Sequence, residues 1–549
     1  MRHSSLRGIG KRCALACALA AALAYNAHAY DFAYDTEREP ALVECDKLDW
    51  SGQQNDASNC YLQVLNRDSR LAVRAEAAWA LGDLSQASQL FQRALSSAEN
   101  DPAIHTRWGR LFIDTYQEAD AVRLFQEALA IAPDYHPATL GIAIGLAEQY
   151  GTGAQEQLDD ALSGDPNLMD AHLLNALFAL QLNDYEAAEH HLDTAEKLAE
   201  SYEWTLLEVY ALRASSALLQ EQNHDQWLDA AYSVNPNWGG AHETLGHFYL
   251  RTFRYTDAIE AFKKSVEMEP DRWSAHSQLG INLLRKNQIA EGRHHLEIAY
   301  SGDPYDPATV NTLRLLDTLN EFVLITGEVE LEPEEEGEAA YRVPVLWRLH
   351  EDEQEMLSPY VRQLTEDSIR TFAKRYQFQP QEPIVIELFP NHDDFTVRTV
   401  STPGVGLLGV TFGYLFAMDS PTASRPGDFH WGSVFWHEMA HVFTVSASEH
   451  RVPRWFTEGI SMYEEWQTGP SPGIKIPAYF LEAHAQRLLL PISELDNGFV
   501  RPSYENQVMV SYVQAGLLCQ YIDEAWGFDK LAEILYRCLL YTSPSPRDS

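Results

Sequence analysis

The segment "FWHEMAHVF", residues 435–443, contains two histidines whose spacing suits a metal ion and a glutamate that could assist chemistry beside it. His437 and His441 are four residues apart, so on a helix their rings lie on one face and suit a single metal ion. Glu438 then sits beside the metal, where a carboxylate can take a proton from water and pass it on. The alternative interpretation is a buried helix with two hydrogen-bonded histidines, because so short a pattern also occurs by chance.

The segment that follows, "SEHRVPRWFTEGISMYEEW", supplies a third ligand. Pro453 suits the first turn of a new helix, and Glu458 lies 17 residues after His441 on that helix. Two histidines and one carboxylate leave the fourth position of Zn²⁺ open, which is the catalytic rather than the structural arrangement. His450 is a competing third ligand, but its surroundings lack the glycine and histidine that such a spacing requires, so we prefer Glu458.

The segments "HEMAH" and "PRWFTEGISMYEE" together resemble the gluzincin metallopeptidases, the thermolysin-like and aminopeptidase-like group of the peptidase MA clan. The resemblance covers roughly residues 341–535. It implies that His437, His441 and Glu458 bind Zn²⁺, that Glu438 is the general base, and that the substrate is a peptide or protein.

Two further features follow from the same resemblance. The segment "GVTFGYLFAMDSP" is similar to the edge strand on which these enzymes hold an extended substrate. Tyr512 lies at about the distance downstream where related aminopeptidases carry a catalytic tyrosine, which implies a role in stabilising the oxyanion. The alternative for Tyr512 is a helix tyrosine that packs on the core.

The sequence departs from the thermolysin-like enzymes at Met462, four residues after Glu458. Those enzymes place an aspartate there to orient a zinc-binding histidine. The orienting group must therefore come from elsewhere, with Glu464 and Glu465 as the candidates, because such groups contribute to metal affinity.

The elements that would position these residues form an α+β domain, predicted to span residues 319–540. Alternation of apolar residues predicts strands at 341–349 and 383–390, with an amphipathic helix at 353–376 between them. The acidic stretch "GEVELEPEEEGEAA" before them is expected to be an exposed linker or a loop beside a strand.

Before this domain, a proline recurs after the apolar end of a helix, at Pro133, Pro166, Pro236, Pro270 and Pro304. The spacings of 33, 70, 34 and 34 residues indicate an array of helical repeats, with one proline missing inside the longest interval.

Small and large apolar residues recur at matching places inside each repeat, as in Gly246 with Phe262 and Gly109 with Phe125. The pattern resembles the tetratricopeptide repeat and covers residues 70–318, about seven repeats. Stacked repeats of this kind form a concave surface, so we expect a protein or peptide partner there. The fold class is therefore multidomain, with an all-α repeat array followed by an α+β zincin-like domain.

The N-terminus has the form of a secretory signal, residues 1–29: four basic residues, a short apolar run, and Ala27-His28-Ala29 as the cleavage signal. The apolar run is too short for a membrane anchor, so no transmembrane anchor is expected in the mature chain. We expect export to the periplasm of a Gram-negative bacterium or to the medium. In such an oxidising compartment Cys45 and Cys60, in the N-terminal segment 30–69, can form a disulfide.

The net charge of -40 over 549 residues repels phosphates, so a nucleic acid partner is not expected. The last residues, 541–549, lack any periodicity and are expected to be a non-native tail.

Two functions fit these patterns. One is an exported zinc metallopeptidase whose repeats recruit its protein substrate. The other is an envelope scaffold in which the repeats bind partners and the metal domain is inactive or structural.

Overall fold

The structure, a computed structural model, describes residues 38–148, 153–331, 340–474 and 476–538. It divides into two compact units. The first, here called the repeat unit, has as its described residues 38–148, 153–248 and 260–275. The second, here called the sheet unit, has as its described residues 249–259, 276–331, 340–474 and 476–538. The predicted signal peptide and C-terminal tail lie outside the described residues, and the predicted boundary at residue 319 stays a prediction.

Successive helices make up the described part of the chain between residues 40 and 318. Their bounds are α1 Pro40–Trp50, α2 Gln54–Arg67, α3 Leu71–Ala80, α4 Leu84–Ser97, α5 Pro102–Asp114, α6 Glu118–Ile131, α7 His136–Glu148, α8 Ala154–Gly164, α9 Met169–Gln181, α10 Tyr185–Ser201, α11 Leu207–Leu219, α12 Asp225–Val234, α13 Gly240–Arg251, α14 Tyr255–Met268, α15 Trp273–Arg285, α16 Ile289–Gly302 and α17 Pro307–Thr318. The repeat unit holds α1 to α12 and parts of α13, α14 and α15.

The recurring prolines and glycines explain these helices. Each of the five prolines lies two residues beyond the end of a helix, as Pro133 does after α6, because proline cannot continue the hydrogen-bond ladder. A Cβ on Gly109 would lie 2.6 Å from the Phe125 ring, and one on Gly246 would lie 2.7 Å from the Phe262 ring. The glycines therefore let the two helices of a repeat pack closely, as the sequence pattern predicts.

The predicted disulfide between Cys45 and Cys60 is confirmed and joins α1 to α2. Cys45 is fully buried among the apolar side chains of the first helices, which include Leu42, Ala57 and Tyr61. The N-terminal hairpin is thus held both by apolar packing and by a covalent link.

The sheet unit contains a mixed five-stranded sheet with helices around it. The bounds are β1 Phe322–Leu331, β2 Tyr341–His350, α18 Gln354–Tyr376, β3 Ile384–Phe389, α19 His392–Val400, β4 Gly409–Phe412, β5 Leu415–Asp419, α20 Trp431–Ala447, α21 Arg454–Gln467, α22 Ala478–Ala485, α23 Asn497–Val500, α24 Gln507–Trp526 and α25 Phe528–Arg537. The strand order is β1-β2-β3-β5-β4; the two outer pairs are antiparallel and the two inner pairs are parallel. All six residues of β3 are buried, as expected for a central parallel strand.

The structure corrects two local predictions. Residues 327–331, expected in a linker or loop, form the end of β1 and pair with β2; residues 332–339 of the same acidic stretch lie outside the described residues. The segment expected as a single edge strand is a hairpin of β4 and β5, because Gly413 adopts φ +72° and reverses the chain. Of the two strands of this hairpin, β4 is an outer strand of the sheet and β5 is an inner one.

Across the described residues, no helix combines the length and the apolar character that a membrane crossing requires.

Candidate metal centre

Two packed helices, α20 and α21, carry the predicted ligands. α20 begins after His430, whose ring Nδ1 accepts a hydrogen bond from Ser433 N at 3.0 Å, and nearly all of its residues are buried. α21 begins after Pro453, and its N-terminus is stabilised from a distant segment, since Trp455 N donates to Asp496 Oδ1 at 2.6 Å. A carboxylate at a helix N-terminus is favourable because it faces free N–H groups.

The structure brings His437, His441 and Glu458 together, and their candidate ligand atoms all lie within 4.8 Å of one another. The His441 Nε2 atom lies 3.0 Å from His437 Nε2 and 3.1 Å from Glu458 Oε2. The third distance, from His437 Nε2 to Glu458 Oε2, is 3.4 Å. Donors at the usual 2.0–2.1 Å from a tetrahedral zinc ion lie about 3.3 Å from each other, so the three atoms have the required separations.

Each histidine ring is oriented through its other nitrogen. His437 Nδ1 donates to Glu465 Oε1 at 2.7 Å, and His441 Nδ1 contacts Thr457 Oγ1 at 2.8 Å. The Thr457 hydroxyl can accept from His441 while it donates to Thr444 Oγ1, 2.7 Å away. These contacts leave the Nε2 lone pair of each neutral ring directed at Glu458, the arrangement that metal-binding histidines adopt.

Three electron-rich atoms so close together need a cation among them. Burial opposes the ionisation of Glu458, but positive charge and N–H donation at His441 and His437, when these rings are protonated, outweigh it and hold the pKa of Glu458 below its ordinary value. A bound cation would take the place of those protons. The donor set of two imidazoles and one carboxylate therefore fits Zn²⁺. The assignment of these residues as ligands stays a prediction.

Glu438 directly follows the candidate ligand His437, and its side chain contacts β4. Its Oε2 accepts a hydrogen bond from Thr411 Oγ1 at 2.6 Å, and the same hydroxyl contacts the Glu438 carbonyl at 3.1 Å. A Cβ on Gly409 would lie 2.5 Å from Glu438 Oε1, so only glycine leaves room for this carboxylate. Burial raises the pKa of Glu438 above its ordinary value.

The two carboxylates left as alternatives for orienting a histidine have different partners. Glu465 contacts His437, whereas Glu464 accepts hydrogen bonds from Arg375 Nε and Tyr376 OH, both at 2.9 Å. Met462 packs with the apolar cluster around Tyr512. Sequence reasoning missed Thr457 altogether; its position directly before Glu458 was the only available signal.

Tyr512 lies on α24, and its ring centroid is 6.2 Å from that of His437. The ring is buried and also packs edge-on against Phe499 at 5.1 Å. The structure thus brings Tyr512 next to the candidate ligands, and its catalytic role stays a prediction.

The competing ligand His450 belongs to another environment. Its ring lies near the turn at Gly413, where a Cβ would be 3.6 Å from His450 Cε1. Among the described residues it does not join the group of three potential ligands.

Comparisons with known proteins find matches both for the helical repeats and for the domain that carries the candidate metal centre. Residues 365–540 match the family model described as Peptidase MA superfamily, and residues 73–136 and 240–272 match tetratricopeptide repeat models.

Curated relatives match over short stretches. Protein O-mannosyl-transferase TMTC1 of Homo sapiens is 25% identical over 200 residues, which is 35% of this chain and 22% of that protein. Small glutamine-rich tetratricopeptide repeat-containing protein 2 of Mycosarcoma maydis is 29% identical over 101 residues, or 18% of this chain and 26% of that protein. The chain thus spans about a quarter of the length of these relatives.

Among solved structures, a tetratricopeptide repeat protein from Parabacteroides merdae is 15% identical with a TM-score of 0.30, covering 45% of this chain and 100% of that one.

The chain carries tetratricopeptide repeats followed by a domain of the Peptidase MA superfamily.

Proposed function

We propose that the chain is a zinc-dependent metallopeptidase of the gluzincin type that hydrolyses peptide bonds. The observation that carries this proposal is the convergence of His437, His441 and Glu458 within 4.8 Å, with the Glu438 carboxylate on the adjacent residue of the same helix. Membership of the Peptidase MA superfamily supports it.

The reaction requires a proton to leave the attacking water and reach the departing amine. Zn²⁺ held by the two histidines and Glu458 supplies Lewis acidity toward the scissile carbonyl. Glu438 takes the proton from water as the oxygen bonds to the carbonyl carbon, and it delivers that proton to the amine nitrogen as the C–N bond breaks. Thr411 fixes the carboxylate for both transfers through the hydrogen bond to Oε2.

Tyr512 and β4 complete the proposed site. The Tyr512 hydroxyl is the proposed donor to the oxyanion, which the position of its ring next to His437 supports. β4, as an outer strand that contacts Glu438 through Thr411, is the proposed place where an extended peptide adds to the sheet.

The repeats are proposed to bind the protein substrate or a partner peptide on their concave surface, as tetratricopeptide repeats bind proteins. Export to the periplasm or medium is proposed from the signal-like residues 1–29, and the Cys45–Cys60 disulfide supports an oxidising compartment. Mass spectrometry of the secreted chain is expected to find Tyr30 at its N-terminus; Met1 there would contradict export through this signal.

The decisive experiment compares Glu438→Gln with the wild type on a peptide library, with zinc content measured by elemental analysis. We expect the variant to keep one zinc per chain and to lose at least about 100-fold in cleavage rate, since a general base contributes about 10²–10⁴-fold. Glu449→Gln, a change at an exposed glutamate two residues beyond α20, is the matched control.

Cleavage that survives both a chelator and Glu438→Gln would overturn the proposal. Stoichiometric zinc in a wild-type protein that cleaves nothing in the library would instead support the scaffold function.

A further inference from the structure

A group of buried arginines lies in the sheet unit and involves none of the candidate metal ligands. Arg285 ends α15, Arg398 lies in α19, and Arg348 lies in β2, while Glu387 in β3 is the carboxylate among them. All four side chains are buried, with Arg285 and Arg398 each only 4% exposed. The group therefore has three guanidinium charges and one carboxylate charge.

Glu387 is shared by two of the arginines. Its Oε1 pairs with Arg348, and its Oε2 lies 2.7 Å from Arg398 Nε. Arg348 also donates to Asn287 Oδ1 at 2.9 Å. A single carboxylate thus serves two cations, and no carboxylate is paired with Arg285 among the described residues.

Arg285 and Arg398 lie side by side, because each donates to a carbonyl next to the other. Arg285 Nη2 donates to Thr399 O at 2.9 Å, and Arg398 Nη2 donates to Leu284 O at 2.9 Å. Both carbonyls are at the ends of helices, where partial negative charge helps to hold a cation. Burial and the like charge of Arg398 lower the pKa of Arg285 to about 10, so Arg285 stays charged at neutral pH.

Some of their N–H groups remain without a protein acceptor. Within the described residues, Arg285 Nε and Arg398 Nη1 are buried and have no hydrogen-bond partner. Neighbouring buried charges of one sign are costly unless a counter-charge accompanies them, and unsatisfied buried donors add to that cost.

We propose that Arg285 and Arg398 form an interior binding site for a monovalent halide, which is chloride under physiological conditions. A monatomic anion accepts from donors in any direction and needs no space for further atoms. It suits two buried guanidinium groups, of which that of Arg285 lies 4.8 Å from the centroid of the Phe412 ring. Phe412 ends β4, so the anion would fix Arg285 against the outer strand of the sheet.

The first test measures the thermal unfolding of the full chain against chloride concentration, with sodium gluconate keeping the ionic strength constant. We expect the unfolding temperature of the sheet unit to rise by about 3–5 °C for each tenfold increase above the dissociation constant of chloride. Bromide should act as chloride does, and sulfate should not. An unfolding temperature that is independent of halide, or that rises equally with sulfate, would overturn the proposal.

The second test locates the ion. Arg285→Met should abolish the halide dependence, while Arg293→Met, which removes an arginine paired with Asp317 on the neighbouring helix, should keep it. If Arg285→Met does not fold, anomalous scattering from crystals of the wild type in bromide replaces it. A bromide peak between Arg285 and Arg398 supports the site, and a water molecule there in bromide-grown crystals refutes it. Neither test depends on peptidase activity.

Discussion

The Nδ1 atom of His437 lies 2.7 Å from Oε1 of Glu465, two helical turns beyond Glu458 on α21. Residues seven apart share a face of a helix. The helix α21 therefore presents the Glu458 carboxylate to the Nε2 atoms of both histidines and the Glu465 carboxylate to the Nδ1 side of the His437 ring. An aspartate at the position of Met462 is therefore not needed to orient this histidine.

Glu465→Gln is expected to lower zinc affinity by about 10–100-fold, because it weakens the group that fixes the His437 ring and its tautomer. Competition with a chromogenic chelator measures this. Glu464→Gln is the matched control: its carboxylate is fully buried and bonds to Arg375, Tyr376 and Thr468. That change should lower the free energy of unfolding and leave the zinc dissociation constant unchanged. The reverse pattern would contradict the assignment of Glu465.

The third ligand can be tested directly. Glu458→Ala should remove zinc from the purified protein, since two histidines alone leave too few donors for tight binding. His450→Ala should keep the metal, because among the described residues His450 lies outside the group of potential ligands. Elemental analysis of both variants after dialysis decides between them; zinc lost from His450→Ala and kept in Glu458→Ala would shift the third ligand to His450.

The convergence of the three candidate ligands was predictable from the sequence because their signals are local. The spacing of His437 and His441 fixes a helix face, and Pro453 marks the start of the helix that carries Glu458. The partners of the rings were predictable only in part: Glu465 was one of two candidates, and Thr457 was missed. Thr457 and Glu465 reach the histidines only because of the way α20 and α21 pack, and a crossing of two helices leaves no local pattern.

The errors in the fold have physical causes too. The last four residues of β1 alternate charged and apolar residues: Val329 and Leu331 are buried, whereas Glu328 and Glu330 are exposed. That alternation is the signal of a half-buried strand, but the acidic composition favoured a linker. The arginine group shows most clearly what a sequence alone does not predict, since Arg285 and Thr399 are 114 residues apart in sequence and yet form a hydrogen bond.

Gly409→Ala should reduce cleavage while zinc content and folding are kept. The new methyl group would lie 2.5 Å from Glu438 Oε1 and 2.7 Å from its Cγ, so the carboxylate must move away from its place beside Thr411. We expect a rate loss of about 10–100-fold, because general-base catalysis depends on position. Gly145→Ala is the control, since its methyl group would make an ordinary 3.5 Å contact with Ile113 in α5. Unchanged cleavage by Gly409→Ala would show that Glu438 does not act from this position.

The disulfide should contribute mainly to the N-terminal hairpin. It closes a loop with a sequence separation of 15 residues, for which chain entropy gives about 3 kcal/mol. The double variant Cys45→Ser/Cys60→Ser is expected to exchange amide hydrogens in α1 and α2 about 100-fold faster than the wild type. Exchange in α20, within the sheet unit, provides the internal reference. Equal protection of α1 and α2 in both proteins would mean that packing alone holds the hairpin.

A pair of histidines is expected to make the repeat unit sensitive to acid. His172 Nε2 donates to Pro166 O at 3.0 Å, so its Nδ1 accepts from His191 Nδ1, also at 3.0 Å. Burial and the nearby His172 and His190 lower the pKa of His191 to about 4, against about 6.5 in an unfolded chain. Between these values the unfolded state binds more protons than the folded one. The stabilisation is therefore complete above pH 6.5 and is lost as the pH falls toward 4.

Hydrogen exchange of residues 169–201 at pH 7.5 and pH 5.0, corrected for the intrinsic exchange rate, measures this loss. We expect the opening free energy to fall by roughly 1–2 kcal/mol in the wild type, after allowance for the partial exposure of His191. His191→Gln keeps a donor for His172 but cannot be protonated, so the fall should shrink by about half or more. The control is Lys197→Gln, at an exposed position of the same helix, because Lys197 is not among the groups that shift the pKa of His191. An equal fall in the wild type and in His191→Gln would mean that the acid sensitivity of the repeat unit arises from other groups.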